Sequence, residues 1–115
     1  MKVGEIYGMQ WGYDQTNNSF FRVKALRGTT QAIIQEVKLG IKNITNQGFM
    51  CEDREYDPDN YTIVKSPIFL NDNEKGQIVK RQEWTYGGET QECFRVGGHI
   101  CTPYHGEKLY ESWYA

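Results

Sequence analysis

Apolar and polar residues alternate in three successive segments at the start of the chain. In the first, the alternation is interrupted only by Ile6, and residues 19–27 and 31–42 continue it. A period of two predicts strands, and three such segments in a row predict an antiparallel meander. A helix over residues 31–42 is the main alternative. It would have to hold two adjacent isoleucines and Gly40, so a strand is favoured.

The last forty residues give the clearest turn signals. Two Gly-Gly pairs, 87–88 and 97–98, separate alternating segments, and such pairs suit hairpin turns because these turns need positive φ. Short strands joined by tight turns are typical of small barrels and sandwiches. We therefore predict an all-β fold, a small SH3-like, partly open antiparallel barrel of six or seven strands.

The middle of the chain does not follow this pattern. Residues 43–60 are polar and acidic and contain Pro58, which predicts an irregular acidic excursion at about 43–60. Residues 61–70 resemble an edge strand interrupted at Pro67. Neither repeats nor low-complexity tracts occur, so residues 1–115 are interpreted as one β domain.

Composition supports this interpretation and narrows the function. Aromatic residues make up 14% of the 115 residues and there are 12 glycines, a pairing that suits strands and tight turns. The net charge of −2 argues against a general nucleic-acid binder, which needs an excess of Lys and Arg. The sequence has neither a membrane-spanning apolar run nor a leader, and its three cysteines are an odd number. We expect a cytoplasmic protein.

Four residues could carry metal or thiol chemistry: Cys93, His99, Cys101 and His105. Zinc uses these ligand types, and a cysteine beside a histidine can act as a nucleophile. The spacing lacks the C-x2-C pair of most zinc sites, and neither an oxyanion-hole loop nor a third orienting group is evident. We favour core thiols and surface imidazoles, predict no cofactor and no catalytic residue, and leave metal binding open.

Two further groups of residues are candidates for contacts with a partner. The stretch "WGYDQTN" sets two aromatic rings beside polar residues, and we expect Trp11 and Phe21 to pin a hairpin corner from which Tyr13 reaches outward. We expect side chains of the turn to hold it by hydrogen bonds to the backbone, namely those of Asp14, Gln15, Thr16 and Asn17. Aromatic residues also crowd both ends of the chain, and those left outside the core would form an exposed patch. The predicted partner-binding residues are Trp11, Tyr13, Asp14, Gln15, Glu52, Asp53, Asp57, Trp113 and Tyr114.

Both ends of the chain resemble one family of small proteins found on bacteriophages, plasmids and integrative elements. The resemblance rests on Val3-Gly4-Glu5, on the motif Trp11 to Asn17, and on an ending with a glycine turn, Tyr, Ser and a final Tyr-Ala. It covers the first and last forty residues and leaves out the acidic middle. It implies a mobile-element origin and a bacterial host, and it implies no mechanism.

These observations lead to two hypotheses of function. The first is a non-enzymatic binding protein that inhibits a host protein, for example one used in defence, by direct contact. The alternative is a barrel that binds or sequesters a nucleotide-like small molecule, with Trp11, Tyr13 and Arg22 against it. Exposed rings and strand edges also favour a homodimer.

Overall fold

The computed structural model describes residues 1–113, and these contain nine strands and no helix. No helix in this part of the chain could therefore cross a membrane. The strands are β1 Ile6–Trp11, β2 Asn17–Arg27, β3 Gln31–Gly48, β4 Cys51–Ile63, β5 Gln77–Lys80, β6 Gln82–Tyr86, β7 Glu89–Val96, β8 His99–Pro103 and β9 Lys108–Ser112.

The strands form one strongly curled antiparallel sheet, an open half-barrel. Their order is β6-β7-β8-β1-β2-β3-β4-β9, and β5 pairs with β3 beside this path. The predicted all-β, partly open antiparallel barrel is confirmed, although it has nine strands where six or seven were predicted. Residues 31–42 lie within β3, so the helical alternative for this segment is excluded.

The prediction of an irregular excursion at 43–60 is wrong. This segment is the outer part of a long hairpin, in which β3 continues to Gly48 and β4 begins at Cys51. The β3–β4 ladder has three register shifts, and each shift disturbs the alternation that a sequence pattern relies on. The inward positions of β4 are also filled by Glu52, Arg54 and Tyr56, which pair with one another and need no apolar pattern. Residues 64–76, by contrast, contain no strand.

Apolar side chains are buried on both faces of the central strands. Adjacent residues of a strand point to opposite faces, and here both members of such pairs are buried, as in Ile6 beside Tyr7 and Phe20 beside Phe21. This explains why Ile6 breaks the alternation of the first segment. The first core contains Tyr7, Met9, Phe21, Val23, Ala32, Ile34, Leu70, Val79, Phe94, Val96 and Cys101. The second contains Ile6, Phe20, Val37, Leu39, Tyr56 and Tyr104.

A buried carboxylate holds the 64–76 segment over the first core. Glu36 is 4% exposed, and its two carboxylate oxygens accept hydrogen bonds from the backbone N–H groups of Ile68 and Phe69, each at 2.9 Å. Asn73 completes the contact, since its side chain donates to the Glu36 carbonyl at 2.8 Å and accepts from the Glu36 N–H at 2.6 Å. This contact seats Leu70 against the sheet.

We predict that Glu36→Gln lowers the free energy of unfolding by about 1–3 kcal/mol, because one buried N–H loses its acceptor and the remaining bond loses its charge. Glu74→Gln, in the same segment but exposed, should change it by less than about 0.5 kcal/mol. Urea denaturation measures both variants. Equal urea midpoints for the Glu36→Gln and Glu74→Gln variants would contradict the role given to Glu36.

Candidate functional site

The 12–16 loop is fastened to the last strand of the sheet. The backbone N–H of Thr16 donates to the Ser112 hydroxyl at 2.8 Å, and the Ser112 N–H donates to the Thr16 carbonyl at 3.0 Å. Gly12 shapes the start of this loop: its φ is +131°, and a Cβ there would lie 2.0 Å from the Gln15 carbonyl oxygen. The sequence predicts that the loop is held by its own side chains, whereas these anchors come from β9.

This closure creates a cleft of about 490 Å³ between the 12–16 loop, the β3–β4 turn and β9. Four aromatic residues line it, and we call it the aromatic cleft: Tyr13, Phe49, Tyr110 and Trp113. Tyr13 is 92% exposed and Phe49 is 87% exposed. Two aromatic rings this exposed are unusual on a surface that has no binding role, because burial of each ring against a partner would be favourable.

A charged network supports one wall of the aromatic cleft. The Arg54 guanidinium pairs with the carboxylates of Glu52, at 2.6 Å, and of Glu111. The Tyr56 hydroxyl donates to Glu111 at 2.8 Å. The Arg54 guanidinium carbon also lies 5.7 Å from the centre of the Trp113 ring, within the range of a cation–π contact. The network therefore positions Trp113 at the cleft.

The network also alters the pKa values of its members. Burial opposes the charged form of Arg54, but its hydrogen bonds to Glu52 and Tyr56, together with the charge of Glu111, outweigh burial and raise the pKa of Arg54. Burial is the main cause that raises the pKa of Tyr56 to about 12. Arg54 is thus a permanent cation and Tyr56 a neutral hydrogen-bond donor at physiological pH.

Most of the predicted aromatic and loop residues lie together at the aromatic cleft. Tyr13, Asp14, Gln15 and Trp113 all line it, and the prediction that Tyr13 reaches outward is confirmed. Trp11 instead packs inward: its indole N–H donates to the Ser19 hydroxyl at 2.8 Å, and its ring meets Phe69 edge-on at 5.1 Å. Trp11 pins the hairpin corner as expected and is poorly placed for a partner. Tyr114 lies outside the described residues.

The predicted acidic residues fall on two faces of β4. Glu52 is 8% exposed and is bonded to Arg54, so it supports the site from within. Asp53 and Asp57 have the opposite parity and are half-buried. Asp53 accepts a hydrogen bond from the Asn46 side chain at 2.7 Å, and Asp57 accepts from the Asp59 N–H at 2.9 Å. Asp53 pairs with the cleft residue Tyr110 in the β4–β9 ladder, whereas Asp57 lies further along β4 and does not line the cleft.

Several residues of the cleft were not among the predicted partner-binding residues, and these include Phe49, Met50 and Tyr110. Phe49 and Met50 form the β3–β4 turn, where Met50 has a φ of +57°. A signal was present, since "GFM" is an apolar pair directly after a glycine inside a polar stretch. The signal points to an exposed turn only when residues 43–60 are interpreted as a hairpin.

A hydrogen bond with Cys51 is the main cause that raises the pKa of Tyr110.

The four candidates for metal or thiol chemistry are divided between the interior and the surface. Cys93 and Cys101 are buried, while His99 and His105 are exposed. Burial raises the pKa of Cys101 to about 12 and raises that of Cys93 as well, which is opposite to the lowered pKa of an activated thiol. Within residues 1–113, no three His, Cys, Asp or Glu residues are grouped so that they could hold a metal ion.

A second cleft, of about 530 Å³, lies between the β7–β8 hairpin and β9. Its lining includes Trp84, Arg95, His99, Tyr104 and Asn18, and we call it the hairpin cleft. The Trp11, Tyr13 and Arg22 set predicted for a nucleotide-like ligand is not assembled in either cleft. Trp11 is packed inward, and the Arg22 guanidinium carbon lies 5.2 Å from the Tyr61 ring centre.

Comparisons with models of protein families, with characterised proteins and with solved structures find no match to this chain.

We predict that Arg54→Met lowers the free energy of unfolding by about 1–2 kcal/mol, because Glu52 and Glu111 are left without their cation. One of the three tryptophan indole N–H signals in a nitrogen-correlated NMR spectrum, that of Trp113, should shift most. Arg95→Met, in an exposed residue of β7, is the matched control and should leave the Trp113 signal in place. A stable Arg54→Met variant with an unmoved Trp113 signal would show that the network does not support the cleft.

Proposed function

We propose that this chain is a non-enzymatic binding protein that docks on a partner protein through the aromatic cleft. The observation that carries the proposal is the pair Tyr13 and Phe49, which come from two separate turns and stand 92% and 87% exposed at one cleft. Aromatic side chains of this kind dominate binding energy at protein interfaces because they bury large areas at a low cost in conformational entropy.

The rigidity of the cleft supports the same proposal. One wall is tied to β9 through Thr16 and Ser112, and the Trp113 N–H donates to the Met50 carbonyl at 3.0 Å, which ties the β3–β4 turn to the same strand. A surface that is already ordered loses little freedom when a partner binds. The cleft therefore has the residue types of a protein-binding site, and hydrogen bonds hold the backbone of its two turns in place.

A host protein is the partner that we propose. The resemblance of the chain ends to proteins of bacteriophages, plasmids and integrative elements supports a mobile-element origin, and such elements meet bacterial proteins in the host cytoplasm. Inhibition of a defence protein by direct contact is the concrete form of this proposal. Asp53 and Asp57, on the outer face of β4, would raise the association rate with a basic surface rather than supply most of the affinity.

A second candidate function is the capture of a small molecule in the hairpin cleft. Its volume of about 530 Å³ lies within the range of ligand sites, and Trp84 and Arg95 could stack on and pair with an anionic aromatic ligand. Protein purified from bacterial cells would then carry excess absorbance near ~260 nm that is lost in an Arg95→Ala variant. A spectrum with no such excess disfavours this candidate.

The main proposal predicts that a double variant, Tyr13→Ser with Phe49→Ser, loses the partner. Tagged protein expressed in bacterial host cells is recovered with its bound proteins, and those bound by the unmodified chain are quantified. Loss of two ring anchors should weaken binding by about 30-fold or more.

The matched control is Tyr86→Ser with Ile68→Ser, because these residues are 78% and 70% exposed and lie outside the aromatic cleft. The control should retain the partner. Equal recovery by both double variants, or no protein bound by the unmodified chain, would contradict the proposal. Sedimentation of the purified chain distinguishes a second copy from a host protein as the occupant.

A further inference from the structure

The charge of the aromatic cleft indicates what kind of group it accepts. Its described lining includes one carboxylate, that of Asp14, and no Lys, Arg or His. The network behind Trp113 adds one cation, Arg54, against two carboxylates, Glu52 and Glu111, so its formal charge is 1 − 2 = −1. The electrostatic potential of the cleft therefore favours a cation and disfavours an anion.

The four aromatic rings act in the same direction. The face of an aromatic ring carries a partial negative charge and attracts ammonium and guanidinium groups. Trp113 already accepts one such contact, with the Arg54 guanidinium carbon 5.7 Å from the ring centre. The charge of Arg54 does not repel a second cation strongly, because two carboxylates neutralise it directly. Aromatic rings together with a carboxylate are the components of an aromatic cage, the usual receptor for organic cations.

We propose that the aromatic cleft binds the cationic end of a lysine or arginine side chain displayed by the partner protein. This inference rests on the proposed function and adds the chemistry of the contact. Tyr13, Phe49, Tyr110 and Trp113 supply the ring faces, and Asp14 supplies the counter-charge. The volume of about 490 Å³ exceeds that of one ammonium group, so the long aliphatic part of the side chain enters with its charge.

The test uses two matched probes, Nα-acetyl-lysine methylamide and the same compound with its ε-amine acetylated. Each is titrated into the labelled protein and followed by NMR at constant ionic strength. We expect the charged probe to move the signals of Tyr13, Phe49 and the Trp113 indole, with an affinity at least about fivefold above that of the neutral probe. The arginine counterpart should bind at the same residues.

Asp14→Asn should reduce the affinity for the charged probe by about threefold to tenfold and leave that for the neutral probe unchanged. Glu89→Gln, which removes one exposed carboxylate beyond the cleft, is the matched charge control and should have no effect. Equal affinity for both probes, shifts confined to other residues, or no shift with either probe would overturn the cage.

The outcomes separate this inference from the proposed function. If the Tyr13→Ser, Phe49→Ser variant loses its partner but the charged probe has no advantage, the cleft is a partner site for a neutral group and the cage is wrong. If the charged probe binds as expected but that variant retains its partner, the cage stands and the proposed function is wrong. Tighter binding of tetramethylammonium than of both the lysine and the arginine probe would assign the cleft to a free quaternary amine and overturn the side-chain proposal.

Discussion

The pair of hydrogen bonds between Thr16 and Ser112 is the contact on which the candidate site depends. It joins the loop after β1 to β9, two segments that lie 96 residues apart in the chain. In this open half-barrel β9 pairs with β4, and among the described residues it forms no ladder with β1 or β2. Together with the hydrogen bonds that the Gln10 and Asn18 side chains donate to the Tyr110 carbonyl, this pair brings Tyr13 and Trp113 to one cleft. The exposed rings therefore lie together because the curled sheet brings distant segments of the chain side by side.

Polar contacts hold in place the segments that pack over the two faces of the central sheet. The central strands bury apolar side chains on two faces, so each face needs a cover. On one face, the carboxylate of Glu36 anchors the 64–76 segment. On the other, the Tyr104 hydroxyl accepts from the Tyr56 N–H at 2.9 Å and donates to the Glu107 carbonyl at 2.6 Å. A segment without apolar periodicity can be positioned firmly in this way, because buried backbone groups must find partners.

The sequence correctly predicted the strands and turns whose residue patterns have a single physical explanation. Alternation identified β1 to β3, and the Gly-Gly pairs identified the hairpins of β6 to β8, because these turns need positive φ. The 43–60 segment could not be predicted in this way, since bulges change its parity and ion pairs replace apolar residues at its inward positions. Tyr13 was found because it stands in a polar loop. Phe49 was not predicted because it lies at the turn of the β3–β4 hairpin. The irregular pattern of residues 43–60 did not predict that hairpin.

Site-specific crosslinking in host cells shows whether a partner protein contacts the aromatic cleft. The photoreactive residue p-benzoylphenylalanine replaces Tyr13 in one protein and Tyr86, which is also exposed but lies outside the cleft, in another. We expect one dominant adduct at position 13 and none of that mass at position 86. The same adduct at both positions, or an adduct at position 86 alone, would contradict this contact.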